Sequence, residues 1–326
     1  ACTSSPANVG LVVSFLFTPL LKDKYTACSL SLLYLPSSNN LDTSIPNSLK
    51  NLNTYKIDST AKYLIEVQTL EGLISILNYL NEHNIKHFIL GAGSNIVIDD
   101  YFDGAIIKLN GLNKIEVKDN IITCEAGAMM GALSCASMDH NLTGLEWAIN
   151  IPGTIGGSIV GNAGAYKKEI FDSLVEIKVL DENLQIKEIK KEEIKHSYRH
   201  TDLKEKPWIV LEATFKLEKG DKEESLALVR DRKERRLATQ PLDMPSAGSV
   251  FRNPENDHAG RLIEAAGLKG KKIGGAMVSE KHANFIVNTG DATSNDIKNL
   301  IKLVHTQVKE KFNVDLVLEQ EIIDWK

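Results

Sequence analysis

Apolar and polar positions along the chain repeat with two periods, and the changes between them mark out the elements. Ala61 to Val67 reads as a strand. Thr69 then opens a run in which Leu73, Ile76, Leu77 and Leu80 recur at three- and four-residue spacing, the pattern of a capped helix with one apolar face. His87 to Leu90 and Ile96 to Ile98 read as strands around a glycine turn. Ala105 to Leu109 and Ile121 to Cys124 read as further strands, and a helix of small residues spans about Ala128 to His140. Beyond a glycine-rich stretch, Leu174 to Leu180, Leu184 to Ile189 and Trp208 to Leu217 alternate as antiparallel strands do. The pattern predicts a helix from Lys222 to about Thr239, stopped at Gln240-Pro241 because proline has no N–H to donate. His258 to Ala266 reads as a helix, and Ile273 to Val278 and Ala283 to Val287 as strands. Thr293 with Asp296 spells a capping box, followed by one stripe of Ile297, Leu300, Ile301, Val304, Val308 and Phe312. Leu316 to Ile322 closes as a strand. This succession predicts an α+β fold.

The first 48 residues break the pattern. They are rich in Ser, Thr, Leu and Pro, with an apolar run from Gly10 to Leu21 that no basic residue precedes, so a secretory signal is a poor fit. A transit-like peptide, an upstream extension and an untidy arm stay open, and the segment is expected to be loosely packed. No apolar run reaches the roughly 18 to 20 residues of a membrane helix, so a soluble protein is expected. The net charge of −5 excludes a global basic field for nucleic acid. Local positive charge must therefore serve any anionic ligand. Cys2, Cys28, Cys124 and Cys135 show no metal-ligand spacing and no dense disulfide framework, as suits a reducing cytosol, and Cys124 and Cys135 are expected in the core.

Two glycine elements carry the chemistry. Residues 144 to 166, GLEWAINIPGTIGGSIVGNAGAY, hold six glycines in 23 residues. Its two richest runs look too glycine-rich for a stable helix and too long for one turn. Interleaved Ile149, Ile151, Ile155, Ile159 and Val160 argue against a flexible linker, which would be polar. Backbone amides exposed by missing Cβ atoms suit a pyrophosphate or a flavin ring. The shorter element, Gly91-Ala92-Gly93-Ser94-Asn95, resembles a phosphate loop. It is neither a dinucleotide fingerprint, since Ile96 stands at the third glycine, nor a Walker loop. Its position between strands also argues against a βαβ unit.

GAGSN, IPGTIGGSIVGNAGAY, SYRHTDL, PSAGSVFRNP and LEQEI, in that order, resemble the UDP-N-acetylenolpyruvoylglucosamine reductase family, also called UDP-N-acetylmuramate dehydrogenase. The likeness runs from about Leu49 to the C-terminus. It implies a two-part FAD-binding domain of the vanillyl-alcohol-oxidase/PCMH type over residues 49–217 and a smaller α+β substrate domain over 218–326. It further implies non-covalent FAD, NADPH as reductant, a UDP-sugar substrate in peptidoglycan precursor synthesis, and a cytoplasmic monomer with no nucleic-acid or membrane partner. One helix fills the space between Leu217 and Gln240, so the chain resembles the shorter, type II form.

The same resemblance assigns roles. Ser249, in the turn-rich GSVFRNP segment, is the general acid that protonates carbon 2 of the reduced enolpyruvyl group. By residue type alone it would be a turn serine. Arg199 stabilises the substrate carboxylate and the developing enolate with a permanently charged, bidentate guanidinium. Glu321 is the acidic partner at the enol. Strand alternation puts Glu319 on the same face, so only the family motif selects between them, and the chosen carboxyl is expected to have a raised pKa. FAD is expected against Gly91, Ala92, Gly93, Ser94, Asn95, Pro152, Gly153, Thr154, Gly156, Gly157, Asn162 and Gly164. Asn253, Arg236 and Tyr166 are the substrate-binding candidates, with the rest of the basic cluster on 222–239 a solvated face. His282 is expected to be structural.

Three departures stand out: Thr201 where the family has serine, Gln320 where it often has proline, and the closing Ile323-Asp324-Trp325-Lys326. None removes a proposed catalytic group. The rival enzyme reading is an FAD oxidase of the same fold acting on an alcohol or sugar. Such oxidases often tether flavin through a histidine near the first loop, and GAGSN has none. A non-catalytic nucleotide-binding scaffold would be favoured by loss of Arg199, Ser249 or Glu321, and all three are present.

Overall fold

The computed structural model describes residues 13–14 and 47–323. The expectations for the N-terminal segment, with Cys2 and Cys28, lie almost wholly outside these residues. The first sheet is parallel except for one short antiparallel pair, Asn47–Ser48. Its main strands are β1 (Thr60–Glu66), β2 (His87–Ile89) and β4 (Tyr101–Lys108), with β4 in the middle, Val13–Ser14 and Asn47–Ser48 adding short pairs on β1, and α1 (Leu70–Glu82) following β1. The last five residues of β4 are all buried, as a strand covered on both faces requires. Thr69 caps α1 by accepting from the Gly72 amide, and Leu73, Ile76, Leu77 and Leu80 are its buried face.

The second sheet is antiparallel. It contains β5 (Ile115–Lys118), β6 (Ile121–Glu125), β7 (Leu174–Leu180), β8 (Ile186–Lys190) and β9 (Ile209–Lys216) in the order β8-β7-β9-β6-β5. Both sheets, α1 and α2 (Met130–Asp139) share one large core that includes Ile107, Ile122, Trp147, Ile177 and Phe215. Cys124 belongs to this core. Cys135 does not: it lies exposed on α2, because a ten-residue helix of small residues must turn one face to solvent.

The C-terminal third brings α4 (Lys222–Thr239), α5 (Ala259–Ala265), β10 (Ala276–Val278), β11 (Ile286–Asn288) and α6 (Ser294–Phe312). The expected capping box at Thr293 and Asp296 is present, and Ile297, Leu300, Ile301, Val304 and Val308 are buried on α6. Each such aliphatic burial contributes about 1.5–3 kcal/mol. The strand expected over Ile273 to Val278 is instead a tight hairpin, with Ile273 opposite Ala276 and Gly274 at φ +53°. Gly274-Gly275 supplies the two-residue turn that an unbroken apolar reading overlooks.

The large core and the C-terminal core are sewn together by chain segments distant in sequence. β12 (Glu321–Ile323) pairs in parallel with β3 (Ile96–Ile98), directly after the GAGSN loop. Tyr55, Ile57 and Val97 join the C-terminal core. The Tyr55 hydroxyl donates to Gln320 Oε1 at 3.0 Å, and Asn288 donates to the Tyr55 carbonyl at 2.8 Å.

Glu146 fastens α4 to the glycine stretch. It accepts from Thr143 Oγ1 at 2.6 Å, the Gly144 amide at 3.1 Å and Ser225 Oγ at 3.0 Å. Burial works to raise the Glu146 carboxyl, but these hydrogen bonds outweigh it and hold the carboxyl below its ordinary value. A depressed folded-state pKa gives stability that is present above the unfolded pKa, about 4.3, and is lost as pH falls through the folded one. Glu146→Gln should therefore unfold well below wild type in thermal melts at pH 7, with the gap narrowing under about pH 4. A gap independent of pH would rule out the ionic origin.

Candidate active site

A cavity of about 1840 Å³ lies between the parallel sheet, the glycine stretch and the C-terminal region. That exceeds the 300–1,000 Å³ of a typical single-ligand pocket, so two nucleotide-sized molecules have room. Its wall carries eight basic side chains and four carboxylates, which reconciles an acidic protein with an anionic ligand.

One end is built of backbone. Gly91 to Asn95 and Pro152 to Gly157, except the buried Ile155, line it. The glycine stretch does contain a helix, contrary to expectation: α3 (Ile155–Val160) is anchored by buried Ile155, Ser158 and Ile159 and capped by Thr154, whose Oγ1 accepts from the Gly157 amide. Tertiary burial overrides the poor helix propensity of two glycines. The two loops meet closely. A Cβ on Gly91 would lie 2.8 Å from Thr154 Oγ1, and one on Gly93, at φ +64°, only 2.0 Å from the Leu52 carbonyl oxygen. Only glycine fits this approach, and the amides it leaves open suit a pyrophosphate. These residues therefore fit FAD.

Asn162 is the exception among the predicted flavin residues. It is fully buried and does not line the cavity; its amide donates to Ser197 O at 2.8 Å and Glu169 Oε2 at 3.0 Å. A short polar side chain at φ +45° serves the turn here, holding the hairpin that carries Arg199. Gly164 does line the cavity, and its carbonyl accepts from Arg199 Nη2.

Arg199 sits in a two-residue hairpin turn between paired Ser197 and His200, at φ +58°. Such a position favours glycine or asparagine, so an arginine there stores strain of about 1–3 kcal/mol. Its Nε donates to Glu319 Oε1 at 2.9 Å, Nη1 to the Asn162 carbonyl at 3.3 Å and Nη2 to the Gly164 carbonyl. A guanidinium has five N–H donors, so one on each Nη remains for a ligand. The carboxylate bound to Arg199 is therefore Glu319, not Glu321. Burial pushes the Glu319 carboxyl up, opposed by Arg199. Glu321 also lines the cavity and pairs with Lys204 from the segment after the arginine hairpin.

Ser249 faces the same cavity from a bridge with Phe285, and Gly248 before it, at φ +76°, makes the turn that presents it. Asn253 lines the wall while its carbonyl oxygen accepts from the Ala259 amide at 3.1 Å, leaving its NH₂ to face a ligand. Arg236 is partly buried, bound to the Asn150 carbonyl and to Gln240 Oε1 at 2.9 Å, and Tyr166 donates to the Arg232 carbonyl at 3.1 Å. Both line the cavity. His282 is structural, its ring accepting from the Asn284 amide. Thr201 is fully buried and donates to the Val160 carbonyl at 2.6 Å. Sequence reasoning weighed Glu319 only as the alternative to Glu321 and gave no role to Lys204 or Lys108. The available signal for Lys108 was a lysine closing a strand buried on both faces.

Residues 61–189 match the FAD binding domain model. Fold and glycine cradle together define an FAD-dependent oxidoreductase. Residues 240–323 match the UDP-N-acetylenolpyruvoylglucosamine reductase, C-terminal domain. The reductase of that name from Caldanaerobacter subterraneus is 44% identical over 279 residues, covering 85% of this chain and 92% of the relative. That from Fusobacterium nucleatum is 45% identical over 277 residues, 84% and 96% of the two chains. The crystal structure of UDP-N-acetylenolpyruvylglucosamine reductase from Thermus caldophilus superposes with a TM-score of 0.74 at 31% identity, covering 86% and 98%. The chain belongs to the UDP-N-acetylenolpyruvoylglucosamine reductase family.

Proposed function

We propose that this chain reduces UDP-N-acetylglucosamine enolpyruvate to UDP-N-acetylmuramate at the expense of NADPH, in the cytoplasm and in the service of peptidoglycan precursor synthesis. Residues 49–217 hold the flavin and 218–326 the UDP-sugar. The observation that carries the reading is that the Arg199 hairpin, the Ser249 turn and the glycine loops line one and the same cavity. When bound, FAD supplies the two-electron chemistry that passes from NADPH to carbon 3 of the enolpyruvyl group.

The chain's own residues do the rest. Arg199 holds the substrate carboxylate with its two remaining donors and stabilises negative charge as it develops at carbon 2. Glu319 orients that guanidinium. Ser249 gives its hydroxyl proton to carbon 2, a centre basic enough to take one from a weak acid. Glu321, neutralised by Lys204, borders the enol. Asn253, Arg236 and Tyr166 hold the nucleotide sugar from the C-terminal side.

A visible spectrum tests the reading. The purified protein should show flavin bands that bleach with NADPH and return on anaerobic addition of UDP-N-acetylglucosamine enolpyruvate. Bleaching without return would leave a flavin enzyme with another oxidant, and a protein that neither carries nor takes up FAD would end the proposal.

A further inference from the structure

We propose that Lys108 binds the diphosphate of the flavin cofactor, its ammonium meeting a phosphate oxygen held on the Gly91–Asn95 loop. The inference rests on FAD as occupant of the cavity and goes beyond the backbone cradle described above. Lys108 is the last residue of β4, at the carboxyl end of a parallel sheet, where such sheets present their ligands. It is 7% exposed and lines the cavity. Its Nζ donates to the Gly91 carbonyl, which fixes it within the phosphate loop, and an ammonium has two further donors. Gly91 is also where the loops converge, since a Cβ there would lie 4.0 Å from the Gly157 Cα. The charge has no carboxylate in an ion pair among the described residues. Glu66 lies opposite it in register, acting only at a distance, and is hydrogen-bonded to Asn110. Burial pushes the Lys108 ammonium below its usual range. A buried cation held by one carbonyl, facing open amides, lacks an anion, and a diphosphate supplies it.

The bland alternative is a tie that merely shapes the loop. FAD titration of the flavin-stripped protein, followed by protein fluorescence, and displacement of bound FAD by ADP separate the two. ADP carries the diphosphate without the isoalloxazine. Lys108→Met should weaken FAD and ADP alike by about ten- to hundredfold, the size of a charge-assisted hydrogen bond, with the melting temperature of the stripped protein near wild type. Lys108→Arg should keep most of the affinity and move the ³¹P resonances of the bound diphosphate. Unchanged affinity in Lys108→Met, loss of FAD affinity with ADP unaffected, or unmoved ³¹P resonances in Lys108→Arg would each overturn the proposal. Failure of the wild-type protein to bind FAD would overturn the flavin reading instead.

Discussion

Ser249→Ala is expected to leave flavin reduction by NADPH near the wild-type rate and to slow reoxidation by the enolpyruvyl substrate by about 10²- to 10⁴-fold. The asymmetry follows from the proposed role. Ser249 lines the cavity from a turn separate in sequence from the glycine loops that fit the cofactor. The hydroxyl is proposed to act only when charge appears at carbon 2, so its removal raises a transition state without weakening ground-state binding. Stopped-flow spectra of the two half-reactions read each rate separately. The left-handed turn belongs to Gly248 and not to Ser249, so alanine places no new strain on the backbone. Equal losses in both half-reactions would remove Ser249 from the role of proton donor.

Arg199→Met should cost more than activity. Loss of the charged donor is expected to lower the rate of the substrate half-reaction by about 10²–10³-fold, as removal of a charge-stabilising group does. It also leaves Glu319 buried without its cation, a break worth about 3–5 kcal/mol when the carboxylate stays ionised. The sign of the pH dependence is fixed by Glu319. Its folded-state pKa, already raised by burial, rises further without Arg199, so the folded state favours the protonated carboxyl. The stability deficit of Arg199→Met against wild type is therefore small at low pH and grows as pH rises through the carboxylate range. Adding Glu319→Gln should restore most of the stability and none of the activity. Urea unfolding at pH 4.5 and pH 8, together with turnover of the single and double variants, measures both effects. A double variant as unstable as the single one would break the link between the two residues.

The long helices were legible because each carried its own signals: spacing, cap and stop. Thr69, Thr293 with Asp296, and Gln240-Pro241 mark the ends of α1, α6 and α4 as expected. Local rules misled where burial overrode them. Two glycines argue against α3 until Ile155 and Ile159 are placed in the core. Ile273 to Val278 reads as one strand, yet Gly274-Gly275 turns it back on itself. The same limit holds at the site. Alternation in the sequence puts Glu319 and Glu321 on one face, so no period distinguishes them; the observed strand takes in only Glu321, and the approach of a hairpin from 120 residues away gives Arg199 to Glu319. Asn162 reads as a cofactor residue because it stands among glycines that line the cavity, whereas its amide bonds the Ser197 carbonyl in the arginine hairpin.

By itself the sequence determined most of the segments that become helix or strand and which motifs the chain shares with its family. Those properties depend on residues close together along the chain. Only the tertiary structure decided that β12 returns to β3, that Tyr55 and Val97 belong to the C-terminal core, which carboxylate Arg199 takes, and that Lys108 bonds the Gly91 carbonyl. Each of these joins groups brought together by the burial of two cores at once, and no short-range pattern encodes which distant partner will be there.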